Sequence, residues 1–277
     1  MEPKWQKPSG PVTGPYRYPY NLLRVLSLPW WTAVAFLHPT VGRDYGIGFG
    51  AKWSLLRKMW RNSHQPGSAS VFFEHVYIVT KLLEVPPSVE GAVGEFGCFK
   101  GMSTASLSLA CALTKRRLIV FDSFEGLPEP DQAVYNLATS AEVPYQRGQY
   151  AGALDEVKGN VTRFGDVRVC EFVKGYFENT LPTRPESEKF ILIFEDADLP
   201  QSVRSVLCGA WRKLQPGCFF FCHEARDHEV VNLFFDQQWW SQMIGEKAPG
   251  FVGSGLGMMS GPDLNWCCLG FTVRQPF

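Results

Sequence analysis

From about Ser68 onward, apolar positions along the chain alternate between short continuous runs and helical spacing. The runs predict strands at Gly91–Phe96, Arg117–Asp122, Val167–Lys174, Phe190–Asp196 and Gly217–Cys222. The helical spacings predict helices from about Ser68 to Pro86 and at Ser103–Leu113, Leu154–Phe164, Gln201–Leu214 and His228–Trp240. Strands separated by helices form parallel crossovers, and continuous apolar runs indicate strands covered on both faces. The pattern predicts an α/β fold with a doubly wound, mostly parallel sheet.

Two further strand-like segments follow the last predicted helix. They span Phe251–Met259 and Asn265–Val273, and the turn-forming residues Gly261-Pro262-Asp263 join them. We expect a C-terminal antiparallel pair that completes a sheet of about seven strands. Such a pair distinguishes this sheet from the fully parallel sheet of a dinucleotide-binding fold.

The first part of the chain, residues 1–67, is rich in proline and aromatic residues and shows no rhythm of strands and helices. We interpret it as an N-terminal extension that packs on the core, on the acceptor side of the site or on a partner subunit of a homo-oligomer such as a dimer. Residues 68–277 then form the main domain. A second interpretation gives Asn21–Leu37, with its paired tryptophans, a role at a membrane surface. That role is disfavoured because the basic face of such helices is nearly absent there.

Composition narrows the possible partners. Lys plus Arg and Asp plus Glu are 27 each, so no net charge attracts the chain to nucleic acid, and a small molecule is the expected partner. The eight cysteines form no Cys-x-x-Cys pair and are interpreted as reduced thiols of a cytoplasmic protein.

The apolar stretch Val25–Leu37 is broken by Ser27 and Pro29 and is shorter than the roughly 18 residues of a transmembrane segment. It also starts too late for a signal peptide.

A glycine-containing turn follows the first predicted strand. Gly97 and Gly101 would let a ligand approach the backbone at a helix N-terminus, although close packing of helix and strand also explains them. Asp122 ends the second strand, where an acidic side chain can accept both hydroxyls of a ribose. It leads into a loop and not a helix. Together these features indicate a nucleoside cofactor.

The spacing of this turn favours S-adenosylmethionine over a nicotinamide dinucleotide. The turn reads Glu-x-Gly-x-x-x-Gly from Glu95, whereas a nicotinamide site has Gly-x-Gly-x-x-Gly. The carboxylate of Glu95 would repel a pyrophosphate but can bind the ammonium of a methionine.

Acidic and imidazole side chains follow the next two predicted strands. The fourth strand ends in Glu195-Asp196-Ala197-Asp198 and the fifth in His223-Glu224. In a parallel sheet both ends lie at the same edge, so these groups should converge near the cofactor. A divalent ion held by them could lower the pKa of a substrate hydroxyl, while a free carboxylate or imidazole takes the proton. His223 and His228 are five residues apart, which excludes a zinc-protease helix.

Four ordered motifs between residues 70 and 240 resemble the macrocin O-methyltransferase family, whose members methylate sugar hydroxyls in antibiotic biosynthesis. The motifs are Glu95–Ser103, Asp122–Pro128, Lys174–Pro182, and Asp196–Leu199 with Leu214-Gln215-Pro216-Gly217. The resemblance implies a class I methyltransferase that uses S-adenosylmethionine. It also implies that Asp122 binds the ribose, that Asp196 binds a magnesium ion, and that Asp198 is the general base. His223 is a second candidate for the base because its imidazole follows the neighbouring strand.

The same resemblance extends the expected cofactor site to Glu95, Gly97, Phe99, Lys100, Gly101, Ser103, Asp122, Ser123, Gly175, Tyr176 and Asp196. The chain departs from the family at His223-Glu224, where the family has an Asp-Asp pair. Asp196, His223 and Glu224 are therefore the expected ligands of a metal ion, magnesium or manganese.

A long segment at about residues 125–150 is expected to act as a lid over the cofactor, with a passive surface loop as the alternative. The expected acceptor is a sugar-like hydroxyl of a natural product. A phenolic or lipid-linked acceptor methylated without metal, a nicotinamide oxidoreductase and a catalytically silent cofactor-binding subunit remain open at this point.

Overall fold

The computed structural model describes residues 30–137, 139–250, 252–253 and 269–275. Its helices are α1 (Trp31–Leu37), α2 (Phe49–Ser63), α3 (Phe72–Glu84), α4 (Met102–Thr114), α5 (Leu154–Phe164), α6 (Phe177–Thr180), α7 (Pro200–Ala210), α8 (His228–Leu233) and α9 (Gln237–Trp239). Its strands are β1 (Ala92–Phe96), β2 (Leu118–Asp122), β3 (Val134–Tyr135), β4 (Glu142–Val143), β5 (Cys170–Lys174), β6 (Phe190–Glu195), β7 (Leu214–Cys222), β8 (Val252–Gly253) and β9 (Gly270–Val273). None of the helices in these ranges is long and apolar enough to cross a membrane.

The main sheet has seven strands in the order β5-β2-β1-β6-β7-β9-β8. The first five of these strands run parallel, whereas β9 is antiparallel to β7 and β8 is antiparallel to β9. The predicted mostly parallel sheet with a terminal antiparallel pair is confirmed, and the segment between the last two strands lies outside the described residues. The strand order reverses between β1 and β6, and such switch points leave a crevice at the carboxyl ends of the strands.

The two central strands are buried throughout because helices cover both faces of the sheet. Every residue of β1 and β6 is buried, as their apolar sequences predicted. Phe96 stacks on Phe121 of the neighbouring strand, with ring centroids 4.6 Å apart. This buried, closely packed centre holds the strand ends, and the polar residues that follow them, in place.

The N-terminal extension, whose sequence shows no rhythm of strands and helices, contains the helices α1 and α2 in its described part. Helix α2 buries Leu55, Leu56 and Met59 in the core. The buried Nζ of Lys52 donates hydrogen bonds to the carbonyls of Leu37 and His38 at 3.1 and 2.6 Å, which joins α2 to the end of α1. The helical period is hidden in the sequence because aromatic residues also occupy the exposed face of α2. Residues 1–29 lie outside the described residues.

The predicted helix His228–Trp240 is interrupted in the structure. Helix α8 ends at Leu233, and after a break the side chain of Asp236 accepts a hydrogen bond from Trp239 N at 3.0 Å and caps α9. A π-helical turn, Trp240–Ile244, follows and buries Trp240 against Trp211 at a centroid distance of 4.9 Å. An Asp in the middle of an apolar helical pattern thus starts a new helix here.

Candidate active site

A cavity of about 350 Å³ opens at the carboxyl ends of the parallel strands, beside the switch point. Segments after β1, β2, β6 and β7 line it together with the residues before α3. The strand ends therefore converge on one cavity, as the parallel arrangement required.

The first turn approaches the end of β6 closely. Gly97 has φ of 89°, and a Cβ added there would overlap the carbonyl oxygen of Asp196. At the other glycine, Gly101, an added Cβ would meet the Val157 side chain of α5. Gly97 is thus required where two strand ends meet, and Gly101 is required for helix packing.

We expect Gly97→Ala to destabilise the protein by about 2–6 kcal/mol, since backbone strain and overpacking each cost about 1–3 kcal/mol. Gly148→Ala is the matched control, because Gly148 also has a positive φ, 77°, but nothing lies within 4 Å of an added Cβ. The control should lose only about 1–2 kcal/mol. Urea unfolding measures both, and equal losses would contradict the close approach at Gly97.

Asp122 lies at the cavity wall with its carboxylate held by backbone groups of two loops. Oδ2 accepts a hydrogen bond from Cys98 N and Oδ1 one from Phe124 N, both at 2.7 Å. Burial raises the pKa of Asp122, and these hydrogen bonds partly offset the rise. Each oxygen retains a lone pair, so the carboxylate is oriented and can still accept a hydroxyl from a ligand.

Glu95 lies beneath the cavity and not at its wall. It is fully buried, and neither carboxylate oxygen has a hydrogen-bond partner of normal geometry among the described residues. Burial raises its pKa to about 8, although the nearby hydroxyls of Ser103 and Thr104 act in the opposite direction. A direct contact between Glu95 and a ligand in the cavity would need a bridging water or a side-chain shift.

The other residues of the expected cofactor site divide into two groups. Those at the cavity wall are Gly97, Phe99, Ser103, Asp122, Ser123, Tyr176 and Asp196. Lys100 does not line the cavity, since its Nζ pairs with Glu156 at 3.3 Å. Gly101 and Gly175 are also absent from the wall. Their positive φ angles of 80° and 140° shape the turns that position the neighbouring residues.

His223 lies between two carboxylates at the far side of the cavity. Its Nδ1 is 2.9 Å from Asp196 Oδ1, and its Nε2 is 3.3 Å from Glu74 Oε2. Burial alone would lower the pKa of His223, but Asp196 and Glu74 raise it well above its ordinary value. Glu74 belongs to α3, where it also accepts a hydrogen bond from Val71 N at 2.9 Å as part of the N-terminal cap.

The surrounding carboxylates form a strongly acidic cluster. Burial, together with the neighbouring acids, raises the pKa of Glu195 to about 7 and of Asp198 to about 8, and raises that of Glu224 well above its ordinary value. Oε2 of Glu195 is buried and has no hydrogen-bond partner among the described residues. So many buried acids require protons or a cation nearby.

One ligand atom each of Asp196, His223 and Glu224 lies within 4.8 Å of the others. An imidazole and two carboxylates suit a divalent transition ion, so the donor set fits the expected metal. His223 would then give up its hydrogen bond to Asp196 and present a lone pair. Glu224 is 1 % exposed and does not line the cavity, which places such an ion at the floor and not at the mouth of the cavity.

Asp198 lines the cavity, but it does not continue the alternating side-chain directions of strand β6. Strand β6 ends at Glu195, and Asp198 has a φ of 61°, so the extended strand conformation does not continue to Asp198. The bend places the Asp198 carboxylate where Arg226 and Tyr145 act to lower its pKa, against the larger effect of burial. Asp198 is therefore an acid with a pKa near neutrality at the cavity wall.

The predicted lid, residues 125–150, contains the antiparallel ribbon β3-β4. Its start and end, Gly126–Pro128 and Tyr150, line the cavity. Tyr145 donates a hydrogen bond to Asp227 Oδ2 at 3.2 Å, and Tyr135 N donates one to Glu229 Oε2 at 2.8 Å. These bonds hold the segment against the residues around α8. Its motion stays a prediction.

Sequence reasoning missed Glu74, Tyr145 and Arg226 as members of the site. The sequence does contain a signal for Glu74, because the polar pair Glu74-His75 interrupts the apolar sequence of α3. The structure buries both residues, which is unusual for such side chains. His75 donates to or accepts from Ser70 Oγ at 2.6 Å, and Ser70 lines the cavity. No local pattern marks Tyr145 or Arg226.

Residues 81–245, more than half of the chain, match the sequence profile of the family described as macrocin-O-methyltransferase (TylF). One curated relative is an 8-demethyl-8-(2,3-dimethoxy-alpha-L-rhamnosyl)-tetracenomycin-C 4'-O-methyltransferase of Streptomyces olivaceus. It is 32% identical over 136 residues, which are 47% of this chain and 51% of the relative. The match therefore spans about half the length of that relative.

Among solved structures, the fold is similar to that of the O-methyltransferase NovP. The TM-score is 0.54 at 16% sequence identity, and the alignment covers 92% of this chain and 99% of NovP. At this identity the similarity establishes the fold, a class I methyltransferase fold, and not a substrate.

Proposed function

The chain belongs to the macrocin O-methyltransferase family, and from this we propose that it transfers a methyl group from S-adenosylmethionine to a hydroxyl of a sugar on a natural product. The observation that carries the proposal is the composition of one cavity wall. Asp122 lines this cavity together with Asp196, Asp198 and His223. A carboxylate that can bind the ribose of a nucleoside and groups that can accept a proton thus face the same cavity. The relative that methylates a rhamnosyl group supports the choice of a deoxysugar acceptor.

In this proposal the cofactor lies along the turn after β1. The Asp122 carboxylate accepts the ribose hydroxyls, since backbone N–H groups already orient it. Phe99 and Tyr150, whose rings pack edge to face at 5.7 Å, cover the cavity from the side of the lid. Closing this side would exclude water from the reacting sulfonium.

Asp198 accepts the proton of the acceptor hydroxyl as that oxygen attacks the methyl carbon. A base works best when its pKa is near the working pH, and burial brings the pKa of Asp198 close to it. His223 is the second candidate at this wall, but Asp196 and Glu74 fix its ring and raise its pKa, so the ring must first lose a proton before it can act as a proton acceptor.

Asp196, His223 and Glu224 would hold a divalent ion at the cavity floor. When bound, such an ion would lower the pKa of an acceptor hydroxyl. The cluster of buried acids supports this part of the proposal, because a cation would offset their mutual repulsion.

A panel of glycosides tests the proposed reaction directly. Release of S-adenosylhomocysteine should occur with rhamnosylated polyketides and not with their aglycones, and mass spectrometry should place the new methyl on the sugar. Methylation of a free phenol in the aglycone would instead favour a phenolic acceptor. Tighter binding of a nicotinamide dinucleotide than of S-adenosylmethionine would contradict the proposal as a whole.

We expect Asp122→Asn to weaken S-adenosylhomocysteine binding by about 10- to 150-fold, the equivalent of the roughly 1.5–3 kcal/mol of a hydrogen bond to a charged acceptor. Asparagine is preferred to alanine because its carbonyl oxygen keeps an acceptor for one of the two groups Cys98 N and Phe124 N, whereas alanine would leave both without an acceptor. Calorimetry measures the affinity, and thermal unfolding verifies that the variant is folded. An unchanged affinity would remove Asp122 from the cofactor site.

A further inference from the structure

The charges of this neutral chain are segregated along the sequence. Residues 1–73 contain nine Lys and Arg but only two Asp and Glu, whereas the remaining residues contain eighteen Lys and Arg and twenty-five Asp and Glu. No acidic residue occurs from Tyr45 to Phe73, the stretch that contains α2. The overall balance therefore conceals a basic N-terminal part and an acidic remainder.

The same part of the chain exposes large aromatic side chains. Trp30, Trp53 and Trp60 are 39%, 51% and 43% exposed, and Val34 is 72% exposed. They line a groove of about 1060 Å³ between α1 and α2. Trp30 stacks on Trp60 with centroids 6.2 Å apart, so the rings form one surface. Monomeric proteins seldom expose apolar patches of this kind without a binding role.

Cations border this groove. Arg57, Lys58 and Arg61 are exposed and belong to its lining, and neither Arg57 nor Lys58 forms an ion pair with a described residue. Trp53, Arg57, Trp60 and Arg61 follow one another at helical spacing and share one side of α2. We call the exposed surface of Trp30, Val34, Trp53, Trp60, Arg57, Lys58 and Arg61 the aromatic-basic face.

We propose that the aromatic-basic face docks on the surface of a lipid bilayer that contains anionic lipids. Tryptophan rings fit the interfacial region of a bilayer, and the neighbouring cations attract acidic headgroups. The protein would lie on the bilayer with its basic part, and its acidic remainder would face away. This proposal is independent of the methylation reaction.

Charge complementarity selects the bilayer over the other occupants of this groove. A symmetric contact between two copies would bring the same three cations together on both sides. The segment 1–29 contains Lys4, Lys7, Arg17 and Arg24 against Glu2 alone, so it adds positive charge and does not neutralise the face. A nucleic acid would be contacted by a surface with more cations and fewer apolar side chains.

Vesicle sedimentation of the full chain tests the proposal. The protein should sediment with vesicles of phosphatidylcholine that contain about 30% phosphatidylglycerol, should bind pure phosphatidylcholine far more weakly, and should be released by high salt. R57E/K58E should lower the partition coefficient by about 25-fold or more, at about fivefold per cation. W53S should lower it by about tenfold, through the loss of buried apolar area.

The matched control is F235S/K247E, which changes an exposed aromatic residue and an exposed lysine outside the groove. It should bind vesicles like the unchanged protein, and all variants should keep their S-adenosylhomocysteine affinity and unfolding temperature. Equal binding to both vesicle types, or no binding to either, would overturn the proposal. A dimer in sedimentation velocity that W53S dissociates, without vesicle binding, would identify a second copy as the occupant and overturn it too. Loss of vesicle binding in the control variant would do the same.

Discussion

Replacing Asp198 by asparagine should reduce methyl transfer by roughly two to four orders of magnitude while the protein remains folded, as is typical for the loss of a general base. The substitution preserves the shape of the side chain but removes the carboxylate that would take the proton. Asp198 lies at the cavity wall, and burial and Asp196 raise its pKa to about 8. Its replacement removes a carboxyl group whose burial is unfavourable, so the unfolding temperature should stay the same or rise.

Release of S-adenosylhomocysteine with the glycoside acceptor measures the rate, and calorimetric scanning measures the stability. Asp155→Asn, an exposed residue in the first turn of α5, is the control and should retain full activity. If Asp198→Asn keeps its rate, the proton goes to another group, and His223 becomes the next residue to replace. A large fall in the unfolding temperature would instead assign Asp198 a structural role.

Exhaustive chelation should abolish methyl transfer, and manganese should restore it better than magnesium. The predicted ligands are Asp196, Glu224 and the imidazole of His223, and an imidazole shifts the preference of a carboxylate site toward transition ions. The variant His223→Asp makes the site all-oxygen and should reverse the order, so that magnesium becomes the better ion. Elemental analysis and manganese binding followed by electron paramagnetic resonance give readouts that do not depend on turnover.

Full activity after chelation, with no metal found by elemental analysis, would contradict the metal site. His223 would then be a metal-free proton acceptor or a fixed cation between Asp196 and Glu74. Both carboxylates already contact the His223 ring. If a metal ion binds, the ring gives up its contact with Asp196 and binds the ion instead; if no metal ion binds, the ring keeps both contacts.

Much of the sheet was predictable because its signals are local. The apolar sequence of β6 is buried at every position, and the strand begins at the predicted Phe190. Once the strands alternate with helices, parallel topology brings Asp122, Asp196 and His223 to one edge without further information. The boundaries were less accurate, since β6 ends one residue before the prediction and Asp198 bends away with a positive φ.

Which residues line the site was only partly predictable, because local signals do not show which side chains face the cavity. The position of Gly97 at the turn follows from its place after a strand, but whether Lys100 faces the cavity depends on Glu156 of α5. Gly101 was noted as a residue that either approaches a ligand or packs a helix, and its nearest neighbour is Val157. Such choices depend on elements that are far apart in the sequence.

The sequence alone therefore determined the α/β sheet, the cavity edge and the residues that end its strands, because periodicity and chain order act through neighbours in the chain. Only the tertiary structure brought Glu74 to His223, 149 residues later, and joined Trp30, which precedes α1, to the tryptophans and cations of α2 on one face. The physical reason is that side-chain contacts between distant elements depend on packing, which fixes the position of each helix against the sheet and leaves no periodic mark in the sequence.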